Sequence, residues 1–487
     1  MLTVYNSLGR ELQEFRPLHE GFVRVYVCGP TVYGHSHLGH AKSYVSFDAI
    51  VRYLRYLDYK VRYVQNITDV GHILEDLGED RVLRKARELG IQPMEVAEMY
   101  TRSYFEDMDA LNVLRPDISP RASGHVPEQI QMVQALLERG HAYEAEGNVY
   151  FDVATWPQYG KLSGRNVDEM VETGRVESRE EKKHPADFAL WKRAQPEHVM
   201  RWPSPWGEGF PGWHLECSAM ALKYLGETVD IHGGGLDNIF PHHEDEVAQA
   251  EAATGKPFVT YWLHNNMTTV DGQKMSKSLG NFITLKDAFA GNPPLHRPVR
   301  PAVIRYFVLT THYRSRADFS VEALEAAEKG LSRIETTVGR VRRMLLAPGE
   351  GPAPQAVDTL VSQARTQFLQ EMDNDFNTAG ALGVLSTFTR EVNKFLDSGE
   401  GASTTALGAI DALYRELGGQ VLGIVTEETG KEAEHGIESR LVEALLDVRQ
   451  RLRDSRQFEF ADSIRNRLDE MGIELQDSSD GTTWQFR

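Results

Sequence analysis

The sequence predicts an α/β protein: a Rossmann-like parallel-sheet domain split by an insertion, followed by an α-helical bundle and a small C-terminal α+β domain. Three observations predict it. Short β-branched runs alternate with long amphipathic segments on both sides of an irregular stretch, the chain turns almost wholly helical after Pro301, and the C-terminal end joins two amphipathic segments to a hairpin pattern. At 487 residues the chain is longer than one core usually organises, so several domains are expected.

Taken in order, FVRVYVC (22–28) is short, β-branched and aromatic, the pattern of a buried strand. Phe47, Ile50, Val51, Leu54 and Leu57 then recur at helical spacing, so a long helix opens near Leu38. KVRYVQ (60–65) is a second strand. Strand, helix and strand in that order make a right-handed parallel crossover, and ligands collect beyond the strand C-termini of such sheets. Residues 1–119 are therefore the first half of the sheet domain. From 120 to 200, Pro120, Pro157, Pro185 and the charged run SREEKKH break the pattern and mark a connective insertion. The sheet resumes over 201–265, where GWHLECSAMALKYLG is helical, ETVDIHGGG is a strand running into glycines and PHHEDEVAQAEAA is a second helix. Residues 266–320 carry the KMSKS loop, and 321–425 have the apolar spacing of a bundle. EETGKEAEHG is a polar linker, and 438–487 hold two amphipathic helices closed by Gly472 and the hairpin candidate IELQDSSDGTTWQF.

A formal net charge of -18 works against partners bound by bulk electrostatics, such as duplex DNA or an anionic membrane. No apolar run approaches the ~20 residues of a membrane span. MLTVYNSLGRELQEF is charged where a signal peptide would be apolar, so the cytoplasm is the expected compartment. Two cysteines make no disulfide framework and would stay thiols in a reducing compartment, open to metal binding or catalysis. Local basic faces remain: Arg449, Arg451, Arg453, Arg456, Arg465 and Arg467 near the C-terminus, and Arg297, Arg300 and Arg305 before the bundle. They are either solvated surface or faces that touch RNA.

Cys28 follows the first strand, Cys217 lies on the helix after Gly212, and His242 and Glu246 stand four apart on the helix after His232, sharing one face. One thiolate from each half of the sheet, an imidazole and a carboxylate would be four donors that zinc accepts. Two buried cysteines acting as small hydrophobes is the competing reading. A hydrolytic ion is disfavoured, because two thiolates and a carboxylate blunt its power to acidify water; such a site better holds a soft anion such as a substrate thiolate.

His37, Leu38, Gly39 and His40 sit at the first turn of the long helix, where unpaired N–H groups and the dipole favour phosphate, and Gly39 lets a flat base approach. KMSKS (274–278) offers Lys274 and Lys277 to neutralise pyrophosphate. In IHGGGLDN, Gly233 and Gly234 would leave room for nucleotide and Asp237 would bind ribose hydroxyls; a tight turn with an Asp cap is the alternative.

HLGH followed by KMSKS, in a split α/β domain trailed by helices, resembles the class I aminoacyl-tRNA synthetases. YVCGPTVY, NITDV, GWHLEC, DIHGGGLD, FPHHEDE, KMSKSLGNF and the terminal DGTTW are similar to the cysteinyl-tRNA synthetase family, nearly end to end. The resemblance implies one zinc ion on Cys28, Cys217, His242 and Glu246; an amino-acid pocket formed with Thr68 and Trp213; ATP, with magnesium, contacted by Lys277; and tRNA(Cys) held by the helices after about 320 and by the C-terminal domain. It implies L-cysteine activated as the adenylate with His37, His40, Lys274 and Lys277 at the phosphates, and a monomer that uses neither DNA nor membrane. A cysteine ligase acting on an amino sugar by the same chemistry is the alternative. Two places depart from the family pattern: many relatives follow NITD with a further acidic pair and a lysine, whereas here Gly71 and His72 intervene before a longer acidic loop, and Ala379 stands where proline often follows DNDFNT.

Overall fold

The computed structural model describes residues 1–71, 73–74, 79–166, 181–195, 198–276, 279–346, 353–398, 402–427, 429, 437–455, 457–478 and 481–486. At its centre four parallel strands lie in the order Val259–Asn265, Val229–Gly235, Phe22–Val27, Lys60–Gln65. Strand order reverses between Phe22–Val27 and Val229–Gly235, which makes the crevice beyond their C-terminal ends the binding position of this topology. Cys28 stands at that edge, its N–H donating to the Gly233 carbonyl at 3.0 Å.

The pleat sorts the two faces. Val25, Ile231 and Leu263 pack with the helix Leu38–Tyr56, whereas Tyr26, Trp262 and Val64 pack with the helices Trp213–Leu225 and His242–Thr254. His232 sits in register with Tyr26 and Trp262, so it points to the second face, toward Cys217 and Glu246.

The insertion is a four-stranded antiparallel sheet, Ala142–Ala145, Asn148–Phe151, Phe188–Arg193 and Gly209–Pro211. Its last strand lies beyond the expected boundary at 200. Three residues containing Gly and Pro carry no alternation from which a strand could be read.

Helices Val321–Leu346, Gln355–Asp373, Thr378–Ser398 and Thr404–Leu413 form the bundle. Arg305, on the preceding helix Pro301–Leu309, ties it to the sheet domain. Its guanidinium donates to Asp48 Oδ2 (2.5 Å) and to the carbonyls of Leu422 (2.8 Å), Leu111 (3.0 Å) and Asn112 (2.8 Å). Ala379 falls in the first turn of Thr378–Ser398, where either proline or alanine is accommodated, so that departure costs the helix nothing.

The C-terminal unit is the helices Ile437–Asp454 and Phe458–Glu470 followed by the antiparallel hairpin Ile473–Ser478/Gly481–Phe486. Two arginines offered as surface for RNA are not surface: Arg305 and Arg449 are each 1% exposed. Arg305 serves the buried joint, and Arg449 packs inside its own unit with Nη1 donating to Thr482 Oγ1 at 3.2 Å. Arg297 and Arg300 are paired with Glu328 and Glu335. Among the described residues no helix is long and apolar enough to cross a membrane.

Candidate active site

The two cysteines converge. Cys28 Sγ and Cys217 Sγ are 3.9 Å apart, too far for a disulfide, which needs about 2.05 Å, and close to the ~3.8 Å that two sulfurs take across a tetrahedral zinc. Glu246 Oε1 lies 3.6 Å from Cys28 Sγ and 3.0 Å from His242 Nε2. Four donor atoms, from Cys28, Cys217, His242 and Glu246, fall within 4.8 Å of one another, and Cys217, His242 and Glu246 are almost wholly buried. Glu246 Oε2 is buried with no hydrogen-bond partner. A soft divalent cation suits this donor set: it compensates a carboxylate and two sulfurs that burial would otherwise penalise.

The charges are arranged unequally. Burial pushes the Cys28 thiol well up, with the hydrogen bond to Cys217 adding to it; the same bond pulls Cys217 down to about 7, against its burial. Burial lowers His242, but the Glu246 carboxylate and Cys217 overcome it and hold the imidazole up at about 10.

A second donor set shares Cys28 and Glu246 and adds His232 and His243. His243 Nε2 is 3.2 Å and His232 Nε2 3.6 Å from Cys28 Sγ. Burial holds both neutral, His232 near 4. His243 Nδ1 meets His264 Nε2 at 2.7 Å, and His264 Nδ1 meets Ser7 Oγ at 2.7 Å. Sequence reading missed this imidazole floor, because His232 and His264 lie in separate strands and meet only through the sheet register.

Asn66 was missed as well. Its Oδ1 accepts from Gly29 N (2.8 Å) and lies 3.8 Å from Cys217 Sγ, while its Nδ2 donates to Thr68 Oγ1 (3.0 Å). It thereby holds the Cys28 loop, Cys217 and Thr68 in one frame. Trp213 stacks on His242, ring centroids 4.5 Å apart. Thr68 and Trp213 thus border the sulfur cluster from opposite halves of the domain. Gly71, at φ +85°, donates to Asp80 Oδ2 at 2.9 Å, and a Cβ there would come within 2.5 Å of Glu216 Oε1, so glycine is required. His72 lies outside the described residues.

The histidines of HLGH are stacked, ring centroids 3.8 Å apart. They also close the helix end. Gly39 N donates to His37 Nδ1 (3.1 Å), His37 N to His40 Nδ1 (3.4 Å) and Leu38 N to the Ile283 carbonyl (3.3 Å). The expected unpaired N–H groups are therefore used within the chain. Burial and the neighbouring His37 keep His40 well below the ordinary histidine range, hence neutral. Met275 Cε reaches to 3.9 Å from where a Cβ on Gly39 would stand, and Leu285 N donates to the Ser36 carbonyl, so KMSKS and HLGH share one crevice. Lys274, exposed, pairs in register with Thr269, and Asn281 braces the turn through Ser276 N and the Lys274 carbonyl. Lys277 lies outside the described residues.

The glycines after His232 have another reason than room for nucleotide. A Cβ at Gly233 would strike the Phe47 ring at 2.2 Å, and one at Gly234 the His243 ring at 2.7 Å. Close packing of strand on helices excludes any side chain there. Asp237 is exposed on the turn Leu236–Ile239 that follows.

Lys42, two residues beyond HLGH, is fully buried, with Nζ facing the carbonyls of Thr311 (3.4 Å) and His312 (3.2 Å); burial lowers it to about 7. Between about pH 7 and 10.5 the unfolded chain retains a proton that the folded chain has released, so this group makes stability rise with pH across that window. The expected slope is about 1.4 kcal/mol per pH unit in its middle. Lys42→Met removes that slope, seen by comparing urea unfolding of the two proteins at pH 7 and pH 9.5.

Residues 14–329 match the family described as tRNA synthetases class I (C) catalytic domain, and 367–426 match the DALR domain. The cysteine–tRNA ligase of Chlorobaculum tepidum is 50% identical over 99% of this chain and 98% of its own length. That of Deinococcus radiodurans is 48% identical over 99% and 96%. Among solved structures, methionyl-tRNA synthetase from Mycobacterium tuberculosis with methionyl-adenylate superposes at a TM-score of 0.62 and 17% identity, covering 84% of this chain and 92% of that one, a likeness of fold.

Proposed function

The chain belongs to the cysteine–tRNA ligase family of class I tRNA synthetases, and from that membership we propose how its residues divide the work. It activates cysteine with ATP and charges tRNA with it. The amino-sugar alternative finds no support in relatives that match end to end and are named for tRNA.

Cys28, Cys217, His242 and Glu246 would hold zinc. When bound, the ion supplies a soft cationic contact that favours a sulfur ligand over a hydroxyl. Serine, the nearest competitor, would lose that contact, a difference expected to exceed the ~1–3 kcal/mol that a methylene is worth in an apolar pocket. Thr68 and Trp213 flank the amino acid. Its carboxylate attacks the α-phosphate of ATP in line, with His37 and His40 stabilising charge on that phosphate and Lys274 and Lys277 on the departing pyrophosphate, which magnesium accompanies. Asp237 meets the ribose. The terminal adenosine of tRNA(Cys) then accepts the aminoacyl group while the bundle and the C-terminal unit hold the rest of the molecule. Positioning and electrostatics carry the chemistry, so no side-chain nucleophile is needed.

The observation that supports this reading best is the meeting of the chain's only two cysteines, one from each half of the split domain, at 3.9 Å beside His242 and Glu246. ATP–pyrophosphate exchange measured with cysteine and with serine, with metal analysis of the same preparation, tests it. About one zinc per chain and exchange with cysteine alone are expected; a fully active, zinc-free preparation contradicts it. Removal of residues 438–487 is expected to abolish charging and leave exchange intact.

A further inference from the structure

We propose that Tyr159, in the inserted segment, positions the metal ligand His242 through Asp245 and His214. The inference rests on the metal reading above and gives the insertion a part in it. Tyr159 donates its hydroxyl to Asp245 Oδ1, Asp245 Oδ2 lies 3.4 Å from His214 Nε2, and His214 Nδ1 lies 2.8 Å from His242 Nδ1. Asp245 and His242 are 1% and 2% exposed and the His214 side chain 14%, so water competes little at the ligand end of the row.

The contact between two Nδ1 atoms decides the tautomers, because one must donate and the other accept. His242 Nε2 faces Glu246 Oε1 at 3.0 Å, on the side of the four donors, and a metal takes that lone pair. The proton of His242 then sits on Nδ1 and is donated to His214 Nδ1. The proton of His214 is left on Nε2, aimed at Asp245. The row then runs in one direction only, ending on a carboxylate whose other oxygen accepts from Tyr159. A ligand histidine anchored through its far nitrogen to a carboxylate is fixed in ring orientation and made more basic.

The segment carrying Tyr159 is clasped to the same helix, His242–Thr254, at further points: Lys161 pairs with Glu251, and Ser163 N donates to Glu244 Oε2 at 2.7 Å. Tyr159 is thus delivered to Asp245 by a docked surface of the insertion.

Zinc dissociation constants by chelator competition test this, with Cys217→Ser as the reference for loss of a donor. Tyr159→Phe and His214→Leu are each expected to weaken zinc about 10–100-fold, to shift the visible spectrum of the cobalt-substituted protein, and to raise KM for cysteine while KM for ATP stays put. His214→Asn, whose amide oxygen falls near the place of ring Nδ1 but whose side chain stops short of Asp245, is expected to recover only part of the affinity. The thermal midpoint of the metal-free proteins should not differ, which separates positioning from general destabilisation. Zinc binding within twofold of wild type in both Tyr159→Phe and His214→Leu, with Cys217→Ser impaired, overturns the relay alone. Unchanged binding in Cys217→Ser as well overturns the metal reading beneath it.

Discussion

Cys217→Ser is expected to lower kcat/KM for cysteine in ATP–pyrophosphate exchange on the order of 10³-fold, with KM for ATP little changed. Cys217 is the thiol that its surroundings ionise most readily, drawn to about 7 by the hydrogen bond from Cys28 in spite of burial, whereas burial holds Cys28 up. A serine hydroxyl stays protonated and hard. It leaves His242, and a cation held beside it, with one anionic partner fewer, and removing a member of a buried charged set costs about 3–5 kcal/mol, which at ~1.4 kcal/mol per tenfold gives that factor. Preference for cysteine over serine should fall toward the ~10–200-fold that shape alone gives a small apolar pocket. Exchange kinetics with both amino acids and zinc content of the variant check this, and prolonged chelation of the wild-type protein should reproduce the loss. A variant that binds zinc and discriminates normally would show that selection lies elsewhere in the crevice.

The parts of the site that were legible before the structure are those written into one local segment. His242 and Glu246 share a helix face by spacing alone, HLGH announces a helix start, and the strand-helix-strand order places Cys28 at the sheet's C-terminal edge. What stayed hidden depends on register and packing. His232 faces Glu246 because it lies beside Tyr26 and Trp262 in neighbouring strands, and His264 reaches His243 from the sheet's edge strand. Gly233 looks like a nucleotide cradle in sequence, but Phe47, far away along the chain, decides that no side chain fits. Arginines mislead in the same way: Arg305 and Arg449 carry the same charge as their exposed neighbours, and only the fold shows them drawn inside, Arg305 by carbonyls and a carboxylate and Arg449 beside the Thr482 hydroxyl.

Arg305→Met is expected to produce the largest loss of stability of any single change at the joint between the sheet domain and the bundle, about 3–5 kcal/mol by urea unfolding. The long apolar side chain fills most of the space, so the cost is electrostatic. Asp48 keeps Arg52 Nε (2.7 Å) and Leu114 N (2.8 Å) but loses the guanidinium, and the carbonyls of Leu111 and Leu422 lose their donor in a place water does not reach. Asn112 is less exposed to the loss, since its carbonyl also accepts from Arg52 at 2.8 Å. Adding Asp48→Asn should deepen the loss, because Asp48 is still paired with the nearly buried Arg52, which the second change would leave without its carboxylate. These contacts join three places in the chain: the helix that starts at HLGH, the residues after Ala110, and Leu422 at the end of the bundle. Below the unfolding transition, tRNA charging should therefore fall further than ATP–pyrophosphate exchange if, as proposed above, exchange needs only the crevice and charging needs the bundle held at a fixed angle to it. Equal losses in the two assays would mean that Arg305 supports the crevice directly and that the bundle's placement is set by other contacts, of which Asp375, accepting from Tyr5 N (2.8 Å), the Tyr313 hydroxyl (2.7 Å) and Arg314 Nε (2.5 Å), is the next to change.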